Sequence, residues 1–236
     1  MKIKDVHTDL LSLLKVIDNI CVQHHIRYSL FAGTLIGAVR HKGFIPWDDD
    51  ADIMFEREEY EKFLKVIPAE YKIFRNPWVP RFCKNNGEGL FIDIFVFDAI
   101  SNKPSQQKDK IFKLKFLQGT LKDTLTTNKG VIGTILSGLP FVCGKFFSKK
   151  TKLKWYDQIA TADHKNNTKY IFSSLDQFKY IQHVLPIEII SSYKRVPFED
   201  AEFMIMEGFD AYLSKFYGDY MKIPSKDKQI PEHGNV

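Results

Sequence analysis

The chain has 236 residues, 44% of them hydrophobic and 14% aromatic, enough to bury a substantial core and too apolar for a disordered tail. Residues 1–9 meet Lys2, Lys4, Asp5, His7 and Asp9 before any apolar block, so no secretory leader and a cytoplasmic protein are expected. Cys21, Cys83 and Cys143 are too far apart for a disulfide framework or a zinc motif and are expected as buried thiols. The net charge of +5 is uneven: between residues 108 and 154 eleven lysines face only Asp109 and Asp123, a local +9 that leaves −4 for the rest.

In chain order, Leu10, Leu13, Leu14, Ile17, Ile20 and Cys21 recur at helical spacing, so residues 5–25 are expected as an amphipathic helix covering a sheet. His24 and His25 close it as helix-end residues, because adjacent helical positions do not share a face. A short strand over 28–32 turns at Gly33 into a helix over 33–41, and Lys42-Gly43 is a turn. The next stretch, Pro46-Trp-Asp-Asp-Asp-Ala-Asp-Ile-Met-Phe55, concentrates four acids in five positions. Alternation along an extended chain sends Asp48, Asp50 and Asp52 to one side and Asp49 and Ala51 to the other. Such a row of like charges leading into an apolar strand is stable chiefly when a cation neutralises it, and a hard, oxygen-seeking ion such as Mg²⁺ or Mn²⁺ suits it. Backbone N–H groups at the helix start beside Gly33 can hold a phosphate. Together these point to a metal-bridged phosphate ester as ligand.

Residues 57–67 read as a helix with Tyr60, Phe63, Leu64 and Ile67 inward, stopped by Pro68. Brief strands over 71–75 and 81–84 flank Asn76-Pro77. Residues 88–98 are nearly continuous hydrophobe, the mark of a central strand, and Asp93 inside it needs compensation by a cation or hydrogen bonds. Asp98, at its end, is expected as a turn or cap residue. In the basic region, residues 131–147 are apolar but too short and glycine-broken to span a bilayer. Lysines around an apolar segment meet the requirement of an interfacial contact with an anionic membrane, and a helical hairpin with solvated lysines is the other reading. Nucleic acid is not expected, since arginine is absent from the stretch and the aromatics are not spaced as a stacking platform. Residues 152–163 are helical, 168–198 mix short strands and turns, and 207–217 form a last helix with Phe209, Tyr212, Leu213 and Phe216 on one face. The tail from Met221 is irregular.

A glycine turn into a helix, an acid-x-acid strand and a third acid on a later strand resemble the nucleotidyltransferase fold, matched here by Gly33-Thr34, Asp50 with Asp52, and Asp93. More narrowly, residues 28–53, residues 91–98, Val196-Pro-Phe-Glu199 and residues 212–224 trailing to His233 resemble the LicD phosphotransferases, to which the fukutin-like proteins are related. Two positions depart from that pattern: Phe31-Ala32, where a second glycine is common, and Ala51, where a β-branched residue is usual. The resemblance implies an α/β (α+β) fold, a mixed β-sheet flanked by helices. Residues 1–100 would be the catalytic core, 101–165 a basic and mostly helical insertion, and 166–236 the part completing the core domain. It also implies an enzyme that moves a phospho-alcohol, typically phosphocholine, from a CDP-alcohol donor to a sugar hydroxyl of a glycan or lipid-linked glycan, such as a lipopolysaccharide, teichoic acid or capsule precursor, releasing CMP. In that reading Asp50 and Asp52 hold Mg²⁺ or Mn²⁺ across the diphosphate with help from Asp48. Asp93 completes the metal site and can take the acceptor's proton, Gly33 and Thr34 cradle a phosphate, and Arg40 and Lys42 neutralise the leaving CMP.

Three rivals are weighed. A D-x-D glycosyltransferase would need a nucleotide-binding α/β half before the motif, where only some fifty residues stand. An EF-hand would use Asp48, Asp50, Asp52 and Glu59 at its first, third, fifth and twelfth positions, but Ile53 occupies the place that requires glycine. A non-catalytic metal-binding scaffold is the third.

Overall fold

The computed structural model describes residues 2–75, 78–87, 89–124, 138–164 and 166–231. Expectations that fall on Asn76-Pro77, Glu88, Lys129, 131–137 and His233 lie outside the described residues. The elements are α1 (Ile3–Gln23), β1 (Ser29–Leu30), α2 (Ala32–Ile36) continued by a π-helical turn Gly37–His41, β2 (Asp52–Glu56), α3 (Arg57–Phe63), β3 (Tyr71–Arg75), β4 (Pro80–Lys84), β5 (Ile92–Ile100), α4 (Pro104–Thr120), α5 (Lys149–Ala160), β6 (Tyr170–Ser173), β7 (Val184–Pro186), β8 (Tyr193–Phe198), β9 (Ala201–Met206) and α6 (Phe209–Tyr217). They form two compact units, Met1–Phe97 with Ile187–Val236, and Asp98–Pro186.

In the first unit the strands run in the order β1-β2-β5-β4-β3. The β2–β5 pair is parallel and the other pairs are antiparallel, so the sheet is mixed. Ile53, Met54 and Phe55 of β2 are all fully buried, as expected for a strand covered on both faces. The apolar stripe of α1 is equally sequestered, with Val6, Leu10, Leu14, Ile17 and Cys21 at 1% exposure or less. Each such side chain contributes about 1.5–3 kcal/mol of burial. Burial pushes the Cys21 thiol well up. Cys83 and Cys143 are only half-buried, which corrects the expectation of three buried thiols.

Local differences from the sequence reading have physical causes. The strand expected over 28–32 is only Ser29–Leu30, because Ala32 adopts φ 45° and turns the chain into α2. That left-handed backbone costs a non-glycine residue about 1–2 kcal/mol. The helix expected over 57–67 ends at Phe63. Beyond it the bonds tighten to Lys65 N–H with Lys62 O and Val66 N–H with Phe63 O, and Leu64 is 44% exposed. The β8–β9 hairpin adds a second strand, β9, beyond the short strands expected over 168–198. Its turn holds the loop after α2: Glu199 N–H donates to Lys42 O at 2.8 Å, and the Glu199 carboxylate accepts from Phe44 N–H at 2.9 Å. Arg195 on β8 grips Asp18 of α1 through two bonds of 3.0 and 2.8 Å, and the Tyr28 hydroxyl donates to the same carboxylate at 2.7 Å.

The same loop crosses Gly37 so closely that a Cβ there would lie 2.5 Å from the Gly43 carbonyl oxygen. Backbone cannot yield as a side-chain tip can. Gly37→Ala is therefore expected to cost about 2–3 kcal/mol, read as a lowered midpoint in denaturant titration.

In the second unit, α4 opens on Pro104 at its first turn, and Ser148 caps α5 by accepting from Thr151 N–H at 3.1 Å. Strands β6 and β7 pair antiparallel. Two of the lysines expected to be solvated are structural instead. Lys110, 6% exposed, bonds Ala99 O and Asp163, each at 3.0 Å. Lys152 donates to Thr120 O at 2.8 Å and Gly144 O at 3.1 Å, a positive charge on helix-end carbonyls. Asp98 overturns its expectation as well. It lies inside β5, fully buried, and its carboxylate accepts from His164 Nε2 at 2.6 Å and from the Ser174 hydroxyl.

Asp176 in this unit is 5% exposed and accepts from Gln177 N–H at 2.6 Å, and burial raises its carboxyl to about 7. The unfolded chain releases this proton near pH 4 and the folded chain holds it until near pH 7. The associated stability is complete below pH 4 and is lost as pH rises through 7. Asp176→Asn removes the penalty. Thermal melts should show the variant more stable than wild type at pH 8 and indistinguishable from it at pH 4.

Candidate active site

The acid run leads into the sheet and enters it at Asp52. Asp48 N–H closes a turn onto Ile45 O at 2.9 Å, and β2 begins four residues later. The expected alternation holds in burial: Asp49 and Ala51 are fully buried, whereas Asp48 and Asp50 are half-buried and Asp52 is 8% exposed. Phe31 N–H donates to Asp52 O at 2.9 Å on one side, and Asp93 N–H to Ala51 O at 3.0 Å on the other. A segment laddered on both sides is no calcium loop, which disposes of the EF-hand reading.

Asp52 and Asp93 are register partners on the parallel strands β2 and β5. Partners in a ladder project to the same face about 5 Å apart, so these two carboxylates stand side by side at the centre of the sheet. Arg81 of β4 stands opposite Asp93 in the antiparallel ladder, and its Nε donates to the Asp93 carboxylate at 2.9 Å. The Phe91 ring carries that guanidinium at 4.0 Å. No spacing in the sequence announces Arg81; only strand register brings it to Asp93.

Gly33 faces Asp48. A Cβ at Gly33 would lie 2.7 Å from Asp48 Oδ2, so the missing side chain is what lets this carboxylate reach the start of α2. The main chain of Asp48 is fixed by His7 of α1, whose Nε2 bonds Asp48 O at 2.7 Å while its ring stacks on Phe44 at 4.5 Å. The Thr34 hydroxyl is buried and accepts from Asp52 N–H at 2.9 Å, tying α2 to the first residue of β2. Arg40 Nη1 donates to the carbonyls of Tyr220 at 2.6 Å and Lys222 at 3.2 Å, anchoring the C-terminal segment. Burial lowers the Arg40 guanidinium from its ordinary value. Lys42 is exposed, with φ 58° at the end of the π-helical turn.

The donor set at the acids is all carboxylate oxygen, the kind Mg²⁺ and Mn²⁺ take. Asp52 and Asp93 supply two such donors, and Asp48 and Asp50 lie on the chain leading into them. Among the described residues no three His, Cys, Asp or Glu side chains are gathered as a ligand cluster. The chemistry of the set thus fits a hard cation, with the Asp52–Asp93 pair as its nucleus.

The profile of the LicD/FKTN/FKRP nucleotidyltransferase domain matches residues 25–123, a span that contains every candidate residue from Gly33 to Asp93. The lipopolysaccharide cholinephosphotransferase LicD of Haemophilus influenzae is 32% identical over 258 aligned positions, covering 94% of this chain and 92% of that protein. The chain belongs to the LicD family. It is a LicD-family phosphotransferase, in keeping with the resemblance of residues 28–53 and 91–98. Uncharacterised proteins of Rickettsia typhi and Rickettsia prowazekii are 36% and 39% identical over 98 and 97 positions. Each of those matches covers 40% of this chain and only 30% or 35% of the relative.

The LicD-like segments near the C-terminus have structural duties in the first unit. Residues 196–199 end β8 and, through Glu199, hold the loop at Lys42 and Phe44. In residues 212–224, Tyr212 packs on Phe31 at 4.8 Å, and the Tyr220 hydroxyl donates to Asp210 at 2.6 Å while its carbonyl receives Arg40. Among the described residues, no helix is long and apolar enough to cross a membrane.

Proposed function

We propose that this LicD-family enzyme transfers phosphocholine from CDP-choline to a sugar hydroxyl of a lipopolysaccharide or similar surface-glycan precursor and releases CMP. The observation that carries the reading is the register pairing of Asp52 with Asp93 on adjacent central strands. The activity named for the Haemophilus influenzae relative supports the choice of donor and acceptor. The acceptor oxygen forms a bond to the phosphorus that bears choline, the bond from that phosphorus to the CMP oxygen breaks, and CMP leaves with the electron pair. Phosphoryl transfer of this kind depends on positioning and charge neutralisation more than on covalent help. A Mg²⁺ or Mn²⁺ ion held by Asp52 and Asp93, with Asp48 and Asp50 at its margin, would supply neutralisation of the diphosphate.

The protein's own groups do the rest. Asp93 takes the proton of the acceptor hydroxyl, and Arg81 fixes the direction of its carboxylate. Backbone N–H groups of Gly33 and Thr34, in the first turn of α2, would receive a phosphate oxygen beside Asp48. Lys42 offers its ammonium to the departing CMP. Arg40, committed to the carbonyls of Tyr220 and Lys222, acts by holding the C-terminal segment in place.

The test is a CMP-release assay with Mg²⁺ and a panel of CDP-choline, CDP-ethanolamine, CDP-ribitol and CDP-glycerol, together with metal-dependent donor binding. Accelerated release from CDP-choline, abolished by chelator, is the expected result. Release from another member of the panel would change the phospho-alcohol and keep the chemistry. Absence of metal-dependent binding to every CDP-alcohol would overturn the reading, and release of a nucleoside diphosphate from a nucleotide-sugar would replace it with glycosyl transfer.

A further inference from the structure

Helices α4 and α5 of the second unit turn aromatic side chains outward. Phe112, Phe116 and Leu117 of α4 and Trp155 and Ile159 of α5 line an open groove of about 420 Å³. Phe112 is 69% exposed and Trp155 37%. Phe147, 48% exposed, meets the Trp155 ring edge-on at 4.8 Å, and its neighbour Phe146 is 79% exposed. A contiguous apolar patch of this kind marks an interaction surface, not the scatter of single hydrophobes that any surface shows.

The charge on the same helices narrows the partner. Lys108 and Lys113 on α4, and Lys149, Lys150 and Lys154 on α5, are exposed. Asp109 pairs with Lys113 at 2.6 Å and offsets one of them. The inward-bound Lys110 and Lys152 do not contribute to this outer charge. Two copies of the face would bring like charges together, so self-association is disfavoured. Nucleic acid is poorly served, since the segment has no arginine. A surface of anionic phosphates over hydrocarbon complements both features at once. Exposed aromatics, tryptophan above all, settle at the boundary of headgroups and acyl chains, and lysines at its edge are drawn to negative headgroups.

We propose that the α4–α5 face of the second unit docks peripherally on an anionic lipid bilayer. The argument concerns this face alone and holds whichever phospho-alcohol the enzyme transfers. The test is flotation of the full chain with phosphatidylcholine vesicles, with and without phosphatidylglycerol. Two exposed-residue variants accompany wild type, each checked for an unchanged thermal melt. One carries Phe112→Ser with Trp155→Ser, and the other Lys108→Glu, Lys113→Glu and Lys154→Glu. Wild type is expected to float with the anionic vesicles and not with the neutral ones, and to be released as salt is raised. The lysine variant should bind about 100-fold more weakly, and the aromatic variant about tenfold. Equal partitioning of wild type onto both vesicles, or variants that bind as wild type does, would overturn the proposal. So would a wild-type dimer in light scattering that the aromatic variant dissociates, because the face would then be an interface between copies.

Discussion

Asp52→Asn is expected to lower CMP release by about 10²–10³-fold while leaving the thermal melt within a few degrees of wild type. The two halves of this expectation come from the same place in the fold. Asp52 and Asp93 are ladder partners on parallel strands, so their carboxylates face one way at close range, with the Arg81 guanidinium on Asp93. Placing like charges together in a partly buried site costs stability, which makes the amide, of nearly the same shape, tolerable or even welcome to the fold. The reaction, however, loses a fixed negative group where the diphosphate's counter-charge must be held. Backbone bonds at this position, from Asp52 N–H to Thr34 and from Phe31 N–H to Asp52 O, survive the substitution, so a fall in activity would report on the carboxylate itself. Asp48→Asn should cost less, on the order of tenfold, since Asp48 sits over Gly33 and is not one of the register partners. Paired kinetics and melting curves decide the matter. An Asp52→Asn enzyme that retains release within a factor of a few would remove the register pair from the chemistry.

Much of this site was legible because its signals are local. The run from Gly33 to Phe55 contains its own turn, its own acid alternation and its own entry into a strand, and the burial of Asp49 and Ala51 against the half-burial of Asp48 and Asp50 follows the period of two. The hydrophobic run around Asp93 announced a central strand for the same reason. What could not be read depends on register or on distant segments. Arg81 is twelve residues from Asp93 and meets it only because β4 and β5 run antiparallel in one alignment. His7 and Glu199 come from opposite ends of the chain to fix the loop that presents the acids. Thr34 illustrates a subtler limit. Its sequence context marked it for ligand binding, yet its hydroxyl is used inside the fold, where it accepts from Asp52 N–H. Composition likewise could not separate Lys110 and Lys152, which serve the interior, from the lysines that face outward.

Asp98→Ala should destabilise the second unit by about 3 kcal/mol, the largest stability loss foreseen for a single side chain here. The position looks innocuous in the sequence, an acid at the end of an apolar run, and a turn or cap was the natural reading. The strand instead continues to Ile100, and Asp98 is sealed within it. The five-residue step from Asp93 places the two acids on opposite faces of β5. Asp93 thus belongs to the candidate site of the first unit and Asp98 to the interior of the second. Removing Asp98 takes an acceptor from the fully buried Ser174 hydroxyl and the bond from the part-exposed His164 Nε2, and the loss at Ser174 falls where water cannot replace it. Removing a partner has the graded consequence expected of a charged hub. Ser174→Ala should cost about 1 kcal/mol, and His164→Ala about 2–3 kcal/mol because it leaves a buried carboxylate with less compensation. Denaturant titration of the three variants measures the order directly, and hydrogen exchange in α4 and β6 locates the loss in the second unit. If Asp98→Ala melts as wild type does, the carboxylate is not a hub of that unit, and its burial would have to be sustained by packing alone.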